Sequence, residues 1–158
     1  MKIALAILCL CVSLPAAELK VGQPGDLKFT AADGRKVNLA QLRGKVVLLY
    51  FCASWCPPCV HEYPKLKSVY DQFHKQGFEI IGISVDQSRA SFDRYTQQKK
   101  IPWPQHYEDN GWEGELMKRF RVRYIPRMFL LDRTGRIAHQ DTRQHLEEKV
   151  RELLAKLQ

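Results

Sequence analysis

The longest apolar run in this 158-residue sequence covers twelve positions, 3–14, well short of the ~20 residues that span a bilayer. There is no Gly-X-Y or heptad repeat, no low-complexity stretch and no second C-x-x-C pair, which argues against a fibre, a disordered chain and a disulfide scaffold. Acidic residues are scarce as well: 17 Asp and Glu against 25 Lys and Arg leave a net charge of +8. What is present is an ordinary globular composition, 45% apolar and 27% charged, at a length that suits one domain burying its own core without a structural metal. The basic balance is compatible with nucleic acid, an anionic membrane surface or an acidic protein partner, and composition does not choose among them.

Lys2, the apolar run and the small pair Ala16 and Ala17 read together as a secretory signal peptide over residues 1–17, followed by one domain over 18–158. The expected location is exported, periplasmic or extracytoplasmic, with a membrane tether through an uncleaved amino-terminal segment as the alternative. A lipid anchor is disfavoured, because Cys9 and Cys11 each follow a bulky leucine, Leu8 and Leu10. Cleavage removes one charge, Lys2, so the basicity belongs to the domain. It also removes two of the five cysteines and leaves Cys52, Cys56 and Cys59. Three cysteines build no framework, and a C-x-x-C pair closes too small a loop to staple a fold, so the pair reads as redox chemistry.

Strand and helix signals alternate along the domain. Residues 29–39 read as a hairpin turning at Asp33-Gly34, and 46–51 is a continuous apolar run of the kind buried on both faces of a central strand. Pro57 and Pro58 open a helix whose apolar positions Tyr63, Leu66, Val69, Tyr70 and Phe73 recur at helical spacing until Gly77 stops it. A buried strand is expected at 78–85, a polar helix at 89–99, a short strand at 103–107 and a short helix at 115–120. A second hairpin, 127–131 with 136–139, turns at residues 132–135. A closing helix carries Leu146, Val150, Leu153, Leu154 and Leu157 on one stripe. This order implies an α/β fold, a mixed sheet covered on both faces.

The chemistry centres on Trp55-Cys56-Pro57-Pro58-Cys59, at the junction of a buried strand and a helix. Free amide N–H groups and the helix dipole stabilise an anion there, so Cys56 is pushed toward thiolate and becomes the attacking nucleophile. Cys59, one turn further along, is placed to resolve the mixed disulfide. The prolines suit the first helical turn, where a missing N–H is no loss. No zinc site is expected, since there is no second C-x-x-C and His61 sits off the face. A c-type haem attachment is excluded by Val60 directly after Cys59. A Pro-x-x-x-Thr-x-x-Cys peroxidase pattern fails at Leu49 and Ala53.

With these residues in place, the sequence resembles the thioredoxin superfamily and, within it, the exported TlpA/ResA-like thiol-disulfide oxidoreductases. The resemblance runs from about residue 22 to the carboxy terminus. It rests on residues 48–59, on Glu62 and Pro64, on 78–84, on Ile101-Pro102-Trp103-Pro104, and on Tyr124-Ile125-Pro126 before 129–132. It implies a thioredoxin fold with an amino-terminal β-hairpin and an inserted strand and helix. It implies a cis bond at Ile125–Pro126, with the backbone of Ile125 pairing with a substrate strand, and it makes Trp55, Pro57 and Pro58 part of the substrate-facing surface. It casts Glu62 as a buried carboxylate that tunes the thiols and relays a proton. It implies protein thiol and disulfide substrates, no cofactor and no metal, a membrane thiol-transfer electron donor and reductase activity, with cytochrome c maturation as one setting. An oxidase or isomerase, and a redox-sensing binding module, remain open alternatives. Two positions depart from the family: Cys52, read as a small buried hydrophobe, and Arg127, where a small residue is usual after the proline.

Arg127 lies in a stretch, residues 115–136, that carries seven basic side chains against Glu115 and Asp132, a local balance of +5. One reading is a solvated face; the other is a patch that steers an acidic partner or a membrane redox protein toward the active site. Nucleic acid is disfavoured, because no interleaving of aromatic and basic residues marks a binding sheet.

Overall fold

The computed structural model describes residues 27–156. The signal-peptide reading and Leu157 lie outside the described residues. A two-stranded hairpin, β1 (Lys28–Thr30) and β2 (Lys36–Asn38), precedes a five-stranded sheet. That sheet is built from β3 (Val46–Cys52), β4 (Phe78–Ser84), β5 (Gln105–Tyr107), β6 (Arg127–Leu131) and β7 (Ile137–Gln140), in spatial order β5-β4-β3-β6-β7. The helices are α1 (Pro57–Phe73), α2 (Arg89–Lys99), α3 (Glu115–Arg119) and α4 (Leu146–Ala155). β4 runs parallel to β3 and β5, whereas β6 is antiparallel to β3 and β7. This is a thioredoxin-like fold with an amino-terminal hairpin, and α2 with β5 forms the inserted helix and strand.

The central position of β3 follows from its sequence. All seven of its residues are buried, as a strand flanked on both sides and covered on both faces requires. Side chains alternate across it. Tyr50 points toward α1, where its hydroxyl donates to the Cys59 carbonyl at 3.0 Å. Phe51 points the other way, onto Phe120 and Phe129, at 5.5 and 5.9 Å between ring centroids. Phe51 is completely buried, a contribution of about 2 kcal/mol or more from transfer alone.

The described elements are shorter than the sequence pattern suggests where ladders end. The first hairpin pairs only three residues on each side, β5 begins at Gln105 instead of 103, and β7 begins at Ile137 instead of Arg136. Trp103 is buried but unpaired, because Pro102 and Pro104 flank it and cannot donate to a ladder. Conversely β3 extends one residue further, so Cys52 is its last strand residue, opposite Ser84 of β4. α1 stops through a single turn of 3₁₀ helix at residues 74–76, and Gly77 takes the left-handed conformation at φ 98° that a side chain would resist.

Candidate active site

The chain leaves β3 at Cys52 and enters α1 at Pro57, so four residues make the whole connection. Cys56 is the cap of α1, with extended backbone at φ −92° and ψ 104°, and its Sγ accepts from the Cys59 N–H at 3.2 Å. Pro57 and Pro58 fill the first two helical positions, as their lack of N–H allows. Cys56 and Cys59 are joined by a disulfide with Cα atoms 5.3 Å apart, and both are buried, with 4% and 2% of their surface exposed. Trp55, by contrast, is 52% exposed beside them. A sulfur that caps a helix is held by an amide hydrogen and by the positive end of the dipole, and both favour its anionic form once the disulfide is opened.

The connection is anchored from below. Asp86, two residues past the end of β4 and buried, accepts from the Ser54 N–H through both carboxylate oxygens, at 3.1 and 3.0 Å, and from the Ser54 hydroxyl at 2.6 Å. The Ser84 hydroxyl adds a further 2.6 Å bond to the same carboxylate. Asp86 belongs to no motif, and Ser54, although inside the cysteine run, gives no sign in the sequence of this pairing. The usable signal was positional: a polar residue at the carboxyl end of a buried parallel strand, on the side of the sheet where the cysteine motif must also lie.

Glu62 sits in the second turn of α1 and not the first, so dipole stabilisation does not account for it. Its Oε2 is buried and has no hydrogen-bond partner among the described residues. Its charge acts on Tyr50, whose hydroxyl is pushed far above its ordinary value, first by burial. Cys52 and Cys59 line one small cavity together with Tyr50, Tyr95 and Trp103. Burial, with a smaller push from the Asp86 charge, holds the Cys52 thiol well above its ordinary value. Tyr95 in the same wall is pushed up to about 12, again chiefly by burial.

β6 is antiparallel to β3 with Arg127 opposite Phe51, so the loop entering β6 arrives at the end of the sheet that carries the cysteine connection. Its last peptide bond, Ile125–Pro126, is cis. Neither the N–H nor the C=O of Ile125 pairs with another backbone group among the described residues, which leaves one donor and one acceptor for an extended chain. Arg127 corrects one expectation about the basic stretch: it is pinned. Its guanidinium pairs with Asp141, reaches Gln140 at 2.5 Å and donates to the Tyr124 hydroxyl at 2.6 Å. Lys118 pairs with Glu113 at 3.1 Å. Arg133 donates to the carbonyls of Gly44 and Leu154, in the turn at the opposite end of β6. The +5 stretch is therefore divided between two ends of the sheet.

The fold, together with a cysteine pair at the start of the first helix and a cis proline entering β6 at the same end of the sheet, defines a thioredoxin-superfamily redox domain. The sequence matches the AhpC/TSA family over residues 15–140, and the chain belongs to it. Among its relatives, ResA, a thiol-disulfide oxidoreductase of Bacillus thuringiensis subsp. konkukian, is 30% identical over 128 residues, covering 81% of this chain and 72% of that protein. Nucleoredoxin 2 of Oryza sativa subsp. japonica is 38% identical over 111 residues, 68% of this chain and 28% of that protein. The chain thus spans only about a quarter of the length of the nucleoredoxins it matches. A thiol:disulfide interchange protein of Chlorobium tepidum TLS superposes with a TM-score of 0.75 at 23% identity, over 88% of this chain and all of that structure. Among the described residues, no helix is long and apolar enough to cross a membrane.

Proposed function

We propose that this chain is an exported thiol-disulfide oxidoreductase that reduces protein disulfides. The observation that carries the reading is the capping geometry: Cys56 Sγ receives the Cys59 N–H at the amino terminus of α1 while bonded to Cys59 itself. In the reduced protein the Cys56 thiolate attacks one sulfur of a substrate disulfide, forming a mixed disulfide and releasing the other substrate sulfur as a thiolate. Cys59 then loses its proton and attacks Cys56 Sγ. The second substrate sulfur leaves, and the two electrons given to the substrate are matched by the Cys56–Cys59 bond. Ile125, held by the cis bond to Pro126, offers its backbone to the substrate strand, while Trp55 and the two prolines form the rim. Glu62 receives the Cys59 proton. Turnover requires a dithiol that reduces the pair again, a role suited to a membrane thiol-transfer donor.

Two measurements test this. Cys59→Ser should accumulate a mixed disulfide through Cys56 with a substrate protein, and Cys56→Ser should form none. The reduction potential of the pair should lie below about −230 mV, on the reducing side of the glutaredoxin range. A value near −120 mV, that of strong oxidants, would reverse the assigned direction.

A further inference from the structure

Resting on the oxidoreductase reading, we infer that the loop entering β6 docks substrates through carboxylates beside their disulfide: its preferred partners are acidic protein segments. Of the three arginines at positions 121, 123 and 127, only Arg127 is neutralised, by Asp141. The Arg121 and Arg123 side chains make no ion pair or hydrogen bond among the described residues, and Arg123 is exposed. Two guanidinium groups therefore stand uncompensated within five residues of Pro126, on the segment that arrives at the end of the sheet carrying the cysteine connection. Planar guanidinium groups match carboxylates in a two-point geometry that lysine cannot offer.

Arg121 adopts φ +48°, a left-handed conformation that is unfavourable for a long side chain. That conformation closes α3, with the Arg121 N–H donating to the Lys118 carbonyl and the Val122 N–H to the Met117 carbonyl, so the end of the helix fixes where the Arg121 side chain leaves the backbone. Next to the arginines stands a prepared apolar platform. The Tyr124 ring is 50% exposed, yet its hydroxyl is fixed, donating to Asp141 at 2.8 Å while accepting from Arg127. With Trp55 it gives two half-exposed aromatic rings at the same end of the sheet. Rigid aromatics supply contact area at small entropic cost, and the flanking cations supply the choice of partner and the speed of encounter.

The test compares two peptides, each closed by one disulfide and differing only in flanking Glu or Gln residues, with hydroxyethyl disulfide as a neutral small substrate. At low ionic strength the protein should reduce the Glu peptide with a kcat/KM about tenfold above that for the Gln peptide, with the gap closing as salt rises. Arg121→Asn with Arg123→Gln should abolish the gap and leave the hydroxyethyl disulfide rate unchanged; Asn is chosen because it tolerates the left-handed conformation. Equal rates on the two peptides, or a gap that survives the double variant, would overturn the proposal. So would binding to anionic phospholipid vesicles that needs both arginines while the peptides are not discriminated, since the loop would then serve a membrane. Failure to reduce any of the three disulfides sinks the oxidoreductase reading instead. Tighter equilibrium binding of the Glu peptide, read from Trp55 fluorescence, would still uphold the docking surface in that event.

Discussion

Asp86 holds Ser54 through three hydrogen bonds, two to its N–H and one to its hydroxyl, and so fixes the backbone two residues before Cys56 from just beyond the end of the neighbouring strand. The Val85 N–H, which donates to the Cys52 carbonyl at 3.0 Å, continues the same seam. The position of Cys56 is thus set by β4 as much as by the helix it caps.

Replacing Asp86 should be costly for that reason. Hydrogen bonds to a charged acceptor are worth about 1.5–3 kcal/mol each, and Asp86→Ala strands the Ser54 N–H and the Ser84 hydroxyl. A loss of about 3 kcal/mol or more is expected in denaturant unfolding, against about 1.5 kcal/mol for Ser54→Ala, which removes only the hydroxyl bond. The double variant should cost less than the sum of the two, because the partners are shared. Additive losses would show that the carboxylate is not acting through Ser54.

Much of the fold was legible in the sequence because its strongest signals were backed by burial. The run at 46–51 carries the mark of a strand buried on both faces, which β3 is, and Pro57-Pro58 marks the helix start that the structure places at Pro57. The second tier was not legible. Asp86 is one acidic residue among many until β3 and β4 lie side by side and bring residues 54 and 86 together. The fate of the basic stretch was hidden for the same reason: Arg127 meets Asp141 only because β6 and β7 pair, and Arg133 leaves for the far end of the sheet. Charge counted along a chain does not say which charges share a surface.

Glu62 offers a prediction in which stability and activity move in opposite directions. Its Oε2 is buried without a hydrogen-bond partner among the described residues, an arrangement that costs folding energy. Glu62→Gln removes the charge and keeps the volume. It should leave unfolding stability unchanged or raised by up to about 1 kcal/mol, while slowing the step in which Cys59 loses its proton by about 100-fold. Single-turnover kinetics of mixed-disulfide resolution, set beside a melting curve, measure both. A variant that loses stability and keeps its rate would make Glu62 a packing residue.

Cys52 should be chemically silent. Burial is the main cause of its raised thiol pKa, and the thiolate is the reactive form. In reduced native protein at neutral pH, iodoacetamide should label Cys56 and leave Cys52 unmodified until denaturant is added, as peptide mass mapping will show. Labelling of Cys52 at the rate of Cys56 would contradict the burial argument and make it a third working thiol.

The last prediction concerns acid, and its sign follows from His106. Burial lowers the His106 pKa from its ordinary 6.5, and the charges of Glu108, Asp109 and Glu115 only partly offset this. The folded state therefore binds protons less readily than the unfolded chain, so stability is complete above about pH 6.5 and declines as pH falls, levelling once the pH is below the folded-state value. The imidazole packs on Phe29 at 4.7 Å between ring centroids, so the penalty falls on the contact between the amino-terminal hairpin and β5. Unfolding free energy measured between pH 8 and pH 5 should drop in the wild type and stay flatter in His106→Gln, with the hairpin amides losing exchange protection first. Equal slopes in the two proteins would place the acid sensitivity elsewhere in the fold.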